Sequence, residues 1–359
     1  MDAIGSDVFQ ELDIVSITRP CTEWSAMVTD INLLPQYINN AFEVATSGRP
    51  GPVLLDIPKD SSGATLHLPI HLTNFVSAAE AEASVNCLSQ DVNSELQKEI
   101  TQRCAQLLNR SRRPVIYAGQ GVICSPHGIS FLRQLVDKAC IPITTKLLAI
   151  GAFDEFDAKS LHMQVMHGAA YANHAIQKAG LIIALGARFD EQATGNVGKF
   201  APAAKFAATE GKGGIVYFDI SIDQISRIFH VTEAVEGNIQ ESWTDLLPFV
   251  GAVAHRPEWL GQIERWKKQY PLFSIGTHYR ASANGKVDPQ LLIRTLSEMT
   301  RRLSDRIIIT IGVGQHQMWV AQHYKFGPVR RLITSGGVGT MGFGLPAAIG
   351  PELHIRRLL

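Results

Sequence analysis

Between residues 114 and 220 the chain repeats one pattern, and that pattern restricts the fold more than any other feature. Short apolar runs, "PVIYAG", "IPITT", "LIIALGA" and "GIVYFDI", alternate with stretches of helical spacing, "GISFLRQLVDKA" (128–139) and "AAYANHAIQKA" (169–179). A strand that is apolar on both faces needs cover on both faces. Strands alternating with helices provide it as a parallel sheet between two helical layers. The fold class is therefore α/β with parallel-sheet domains, and a further helix is predicted near "IDQISRIFH" (222–230).

The flanks show weaker versions of the same alternation. In block one, residues 1–68, Ile31, Leu34, Ile38, Ala41, Phe42 and Ala45 fall at helical spacing, with Asp30 as N-cap and Gly48 as stop. A predicted strand, "VLLDIP", follows, with Lys59 and Asp60 just past its C-terminal end, the edge at which open α/β sheets place ligands. Residues 69–96 have little periodicity and many small polar residues, and read as a linker. Block two spans 97–250. Residues 251–286 read as a second connector that contains the amphipathic "WLGQIERWKKQYP", and block three, 287–359, opens with the predicted helix "DPQLLIRTLSEM" before the strand "DRIIITIGVG".

Charge and cysteine usage remove several classes of function. The 33 basic residues balance the 33 acidic ones without long runs of either sign, which leaves no electrostatic footprint for nucleic acid or an anionic membrane. Five cysteines, an odd number without C-x-x-C spacing, argue against a disulfide framework or a structural zinc site. The apolar runs fall far short of the roughly 20 residues that span a bilayer. The opening "MDAIGSDVFQELD" has neither the apolar core of a secretory signal nor the arginines of a transit peptide.

Three junctions between strand and loop carry glycines that allow backbone N–H groups to approach an anion: "YAGQGVI" (Gly119, Gly121), "ALGARFDE" (Gly186, Arg188, Asp190) and "TIGVGQHQMW" (Gly312, Gly314). Each alone is also an ordinary tight turn. The first lacks the third glycine and the ribose-binding acid of a dinucleotide fingerprint, so simple NAD binding is discounted. Arg188 at a strand end calls for an anionic ligand or a carboxylate, and Asp190 is a candidate for the latter. Asp219 suits a ribose hydroxyl or an adenine amine, or else caps the next helix. His167, His316 and Met341 are each open to core or capping roles when taken singly.

Taken together and in order, "GSDVFQE", "TSGRPGPVLLDIPKD", "GAFDEFDAKSLHM", "MHGAAYAN", "LIIALGARFDEQATGNVGKFAP", "GVGQHQMWVAQHY" and "TSGGVGTMGFGLPAAIG" resemble the catalytic subunit of acetolactate synthase, with wording most like fungal members. The likeness runs from about Ile4 to Gly350. It implies a thiamine diphosphate-dependent enzyme that decarboxylates pyruvate and transfers the two-carbon unit to a second 2-oxo acid, pyruvate or 2-oxobutyrate, in branched-chain amino acid biosynthesis. Block one becomes part of a pyrimidine-binding domain, block two a central FAD-binding-type domain and block three part of a diphosphate-binding domain. The resemblance further implies Mg²⁺, a homodimer, a regulatory subunit and a mitochondrial location. Noncatalytic partnership, a FAD-binding module and a pyruvate oxidase-like enzyme are the alternatives.

Matched positions acquire roles from the same resemblance. Gln315 and His316 meet the diphosphate, while Gly339, Thr340 and Met341 pass beneath the thiamine. Phe9, Gln10 and Lys59 line the active-site channel. The FAD positions are Arg49, Gly119, Gly121, Leu147, Met166, His167, Gly186, Ala187, Arg188, Phe189, Asp190, Asp219 and Ile220, and the flavin is largely structural in this family. Several positions depart from the family pattern: Glu23 for lysine, Gln192 for arginine, Lys146 for a small hydroxyl or apolar residue, Gln164 and Val165 for leucine-glycine, and Asn238 for aspartate. The family's catalytic glutamate and its Mg²⁺ ligands match no residue here, so the chain is expected to be truncated at both ends and inactive alone.

Overall fold

A β-hairpin cannot join parallel strands, so each strand of this chain is reached through a helix or a long connection. The computed structural model describes residues 13–65, 94–164, 166–221, 225, 228–252, 256–272, 287–303, 307–327, 331–337 and 339–358. They fall in two compact units, 1–92 and 93–359.

In the first unit, strand β1 (Trp24–Met27) pairs in parallel with β2 (Val53–Asp56), and helix α1 (Leu34–Thr46) connects them. Asp30 starts this helix as expected: its Oδ1 accepts from Asn32 N at 2.9 Å and caps a 3₁₀ turn, Ile31–Leu33, that runs into α1. Gly48 follows the helix at φ +53°, a left-handed position that favours glycine. Both strands are half-buried along their length.

The second unit begins with helix α2 (Ser94–Arg110). Strand β3 (Pro114–Ala118), helix α3 (Gly128–Ala139), β4 (Ile143–Thr145), β5 (Ser160–Met163), α4 (Ala170–Lys178), β6 (Leu181–Leu185), α5 (Pro202–Thr209), β7 (Gly214–Asp219), β8 (Glu233–Glu236) and α6 (Ile239–Leu246) complete its main body. The sheet order is β5-β4-β3-β6-β7-β8, all parallel. The first three strands thus run outward in one direction from β3, and the last three in the other. Strands β3, β6 and β7 are buried at every position, as their unbroken apolar runs require. Successive residues supply opposite faces. Ile116, Ile183 and Phe218 meet Leu132, Val136 and Trp243 on one side, and Tyr117, Ala184 and Tyr217 meet Ala172, Ile176 and Trp259 on the other. The helix expected near 222–230 falls mostly outside the described residues.

Helix α7 (Pro257–Gln269) lies in the stretch expected to be a connector, yet it is packed structure, because Trp259 and Ile263 enter the second core with 3% exposure each. Arg256, just before it, is also buried. Its guanidinium donates to Ser111 O and Leu108 O at 3.0 Å each, and to Ala139 O. One side chain therefore donates to carbonyls at the C-terminal ends of both α2 and α3, where the intrahelical hydrogen-bond ladder runs out.

The expected helix of block three is α8 (Pro289–Thr300), capped by Asp288, and it leads to strand β9 (Ile309–Ile311), helix α9 (Gln315–His323), strand β10 (Leu332–Thr334) and helix α10 (Gly344–Leu358). β9 and β10 pair in parallel. A third core joins this part to the main body, with Ile311, Val320, Tyr324 and Phe326 against Ile150 and Met163.

Candidate functional site

The loops that carry the expected ligand residues in the second unit collect at two neighbouring sheet edges. At the six-stranded sheet, strand order reverses between β3 and β6, and a crevice at such a point is the usual ligand position in an open parallel sheet. Gly119 and Gly121 follow β3, and Gly186 follows β6 at φ +52°. Here the glycines serve close packing of one loop on the other. A Cβ on Gly186 would lie 2.6 Å from Gly121 Cα. Gly119 N donates to Leu185 O at 2.9 Å and Gly121 N to Gly186 O at 3.2 Å, so both N–H groups expected to face an anion have backbone partners.

Beyond Gly186 the chain turns back over the sheet edge. Ala187 and Phe189 are buried, and Phe189 packs its ring against Tyr117, Tyr217 and Phe229 at 4.9–5.4 Å. Asp190 caps the short helix Glu191–Thr194 by accepting from Ala193 N at 3.0 Å. Its ionic partner is Lys146 rather than Arg188. Lys146 follows β4, and its Nζ also donates to Arg188 O at 2.9 Å. Burial pushes the Lys146 ammonium pKa down, and the Asp190 contact partly opposes this. Arg188 is exposed and makes no ion pair among the described residues. Asp219 ends β7 with 8% exposure, and its Oδ1 accepts from Ser221 N at 3.0 Å; Ile220 beside it is exposed.

Met166 and His167 lie on the loop after β5, both exposed, and Met166 N donates to Gln192 O at 3.2 Å. Gln164, buried, donates from Nε2 to Ala193 O at 2.8 Å. Leu147 sits in a 3₁₀ turn, Leu147–Ala149, against the third core. The sequence showed Lys146 and Gln164 as departures from a family pattern; it did not show that both side chains reach the same loop.

The second edge is that of β9 and β10. Gly314 caps α9, whose first residues, Gln315 and His316, are exposed. The His316 ring folds back over the preceding loop, since a Cβ on Gly314 would lie 2.9 Å from its Cε1. Gly344, at the start of α10, has its backbone pressed on Gly312, where a Cβ would come within 2.5 Å of Gly312 N. Between them Thr340 N donates to Ser335 Oγ at 3.0 Å, Gly339 takes φ +78°, and Met341 stands 81% exposed. Gln317, which the sequence reading passed over, ties the two loops by donating to Thr334 Oγ1 at 2.7 Å and Ser335 O at 3.0 Å. The two edges adjoin: Gln322 of α9 donates to His167 O at 2.5 Å.

Four expected positions fall in residues 1–92. Arg49 is exposed beside Gly48, and Lys59 opens the short helix Lys59–Gly63. Phe9 and Gln10 lie outside the described residues. Among the described residues no cluster of three or more His, Cys, Asp and Glu could hold a metal ion, and no helix is long and apolar enough to cross a membrane.

Residues 101–246 match the family model described as thiamine pyrophosphate enzyme, central domain, and residues 312–357 match that of the C-terminal TPP binding domain. The acetolactate synthase catalytic subunit, mitochondrial, of Aspergillus candidus is 48% identical over 98% of this chain and 50% of its own length. The corresponding protein of Saccharomyces cerevisiae is 44% identical over 98% and 50%. The acetolactate synthase isozyme 1 large subunit of Escherichia coli is 36% identical over 98% and 56%. The chain thus spans about half the length of these relatives. With two thiamine pyrophosphate enzyme domains in order and identity of this level across nearly all of its residues, the chain belongs to the acetolactate synthase catalytic-subunit family.

Proposed function

We propose that the chain carries the flavin-binding and diphosphate-binding parts of an acetolactate synthase that joins the two-carbon unit of pyruvate to a second 2-oxo acid, pyruvate or 2-oxobutyrate. One observation supports this reading above the others. Met341, a large apolar side chain with 81% exposure, stands on a glycine-flanked turn beside the N-terminus of α9. A bound ligand that is apolar over Met341 and anionic at the helix N-terminus would satisfy both features, because that terminus carries partial positive charge and unpaired N–H groups.

Thiamine diphosphate supplies a carbon nucleophile for 2-oxo acid chemistry when bound, and the protein supplies position and electrostatics. In this reading Gln315 and His316 hold the diphosphate end. Met341 covers the ring junction and keeps water from it, and Gly339 and Thr340 let the backbone lie close. Lys59, Phe9 and Gln10 line the substrate path. For FAD, Asp219 at the end of β7 accepts from hydroxyls, and the loops of Gly119, Gly186, Met166 and His167 frame the crevice; Arg49 is a further FAD position carried over from the resemblance alone. Mg²⁺ is carried over from the resemblance with no ligand assigned in this chain.

A homodimer, a regulatory subunit and a mitochondrial location belong to the same reading. The mitochondrial location rests on the names of the fungal relatives, and association is consistent with exposed Leu292, Leu296 and Met299 on α8 and Leu345 and Ile349 on α10. The test is calorimetric titration of the purified chain with thiamine diphosphate, run beside an assay of acetolactate from pyruvate. Saturable binding that weakens about tenfold or more in Met341→Ala is expected, in line with the ~1.5–3 kcal/mol that burying such a side chain contributes. Absence of binding, or binding indifferent to Met341 and His316, counts against the reading.

A further inference from the structure

We propose that Lys146 is a strap across the mouth of the switch-point crevice, and that a dinucleotide enters only when the Lys146 side chain leaves Asp190. This rests on the reading of the crevice as a flavin site. Lys146 leaves the end of β4, yet its ammonium bonds to Asp190 and to Arg188 O, both on the loop after β6. Strand β3 lies between β4 and β6 in the sheet. The side chain therefore passes over the C-terminal end of β3, the side of the crevice along which a diphosphate would lie.

Other contacts hold the same loop down. Gln164 Nε2 donates to Ala193 O, Met166 N donates to Gln192 O, and Ala193 and Thr194 are buried beneath. The floor is engaged as well, since Gly119 N and Gly121 N bond to the carbonyls of Leu185 and Gly186. Lys146 is the member of this closure that can swing: a flexible stem anchored to backbone at one end and held at the other by the Asp190 carboxylate and the Arg188 carbonyl. With 17% of its side chain exposed, against 41% for Asp190, it is the inner member of the pair.

Two physical effects of Lys146 on a dinucleotide have opposite sign, which makes the proposal testable. Coulomb attraction alone makes a cation beside a diphosphate favourable, so its removal lowers affinity. A strap obstructs, so its removal raises affinity. The experiment titrates purified wild type and Lys146→Ser with FAD, following quenching of flavin fluorescence in low salt, with circular dichroism to verify folding. At least a tenfold tighter dissociation constant in Lys146→Ser is the expected result. Equal or weaker binding by the variant, with measurable binding by wild type, overturns the strap and leaves the flavin site standing. No binding by either protein up to millimolar FAD overturns both. Asp190→Asn is the second variant, because asparagine preserves the cap on Glu191–Thr194 while releasing the ammonium. It is expected to tighten FAD binding and to steepen its salt dependence, as the freed Lys146 meets the diphosphate; unchanged affinity and salt dependence overturn the strap.

Discussion

Two titratable residues lie where the main body meets the loop after α9, and their burial acts in opposite directions. Glu155 is 4% exposed; its Oε2 accepts from Phe326 N at 2.8 Å and its own N–H donates to Phe326 O at 3.1 Å. Burial pushes its carboxyl up to about 8, against smaller opposing effects from the Phe326 N–H and from Lys325. The folded state therefore holds a proton that the unfolded state releases near 4.5, and this group's contribution to stability falls as pH rises from about 4.5 to about 8. Glu155→Gln keeps an acceptor for Phe326 N and cannot ionise. Urea unfolding at a series of pH values is expected to show a flatter profile for the variant across that window and a gain of roughly 1–3 kcal/mol over wild type near its upper end. His162, at φ +56° in the bulge where β4 shifts register on β5, places Nδ1 2.8 Å from Tyr171 OH. Burial pushes it down to about 3, with Lys325 and Lys267 adding to the effect. Its folded value lies below the unfolded 6.5, so its contribution is lost as pH falls through the range from 6.5 towards 3. NMR is expected to show its imidazole neutral at pH 5; a titration midpoint near 6.5 contradicts the burial argument. Neither residue was identifiable from sequence, because a glutamate in "FDEFD" and a histidine in "SLHM" reveal nothing of the surfaces that close over them.

Elements differ in how much of themselves they show. Helix α3 was read to the residue because Leu132, Leu135, Val136 and Ala139 keep helical spacing and all turn inward. Strands β3, β6 and β7 were equally clear, since a strand buried on both faces has no choice but an apolar run. Strands β5 and β8 were not: "SLHM" is interrupted by its bulge, and "EAVE" is an edge strand with polar residues at both ends. Helix α7 was visible as amphipathic, but its anchorage was not, because that depends on Arg256 finding carbonyls some 120 to 150 positions away in sequence. Arg256→Met retains much of the apolar stem and removes the guanidinium's donors from those carbonyls, of which Leu108 O keeps its bond from Ser111 N. A loss of roughly 2–3 kcal/mol in unfolding free energy is expected for it, measured by denaturant titration. At the crevice, the loop motifs were legible as glycines but not as contacts. Gly186→Ala is expected to lose roughly 1–3 kcal/mol in the same measurement, since it combines a positive φ with a Cβ 2.6 Å from Gly121 Cα.

On the scale of the whole molecule, burial is unevenly shared, and so should be resistance to opening. The six-stranded sheet has two complete cores, one on each face, and its central strands contain no exposed residue. The pair β9–β10 has one buried residue in each strand, and the pair β1–β2 has none. Local stability follows buried apolar contact, so amide exchange should rank the three sheets. In native-state hydrogen exchange of the purified chain, amides of β3, β6 and β7 are expected to be at least 100-fold more protected than those of β1, β2, β9 and β10. The candidate diphosphate edge belongs to the less protected class, with Met341 at 81% and Leu345 at 80% exposure. A ligand seated there adds the buried contact that the edge lacks, and binding linkage raises the free energy of every opening that releases it. Thiamine diphosphate at saturating concentration is thus expected to slow exchange in residues 312–343 selectively, with little change in β3, β6 and β7. Uniform protection across the three sheets, or slowing confined to the central sheet, would show that stability and ligand contact are distributed otherwise than burial indicates.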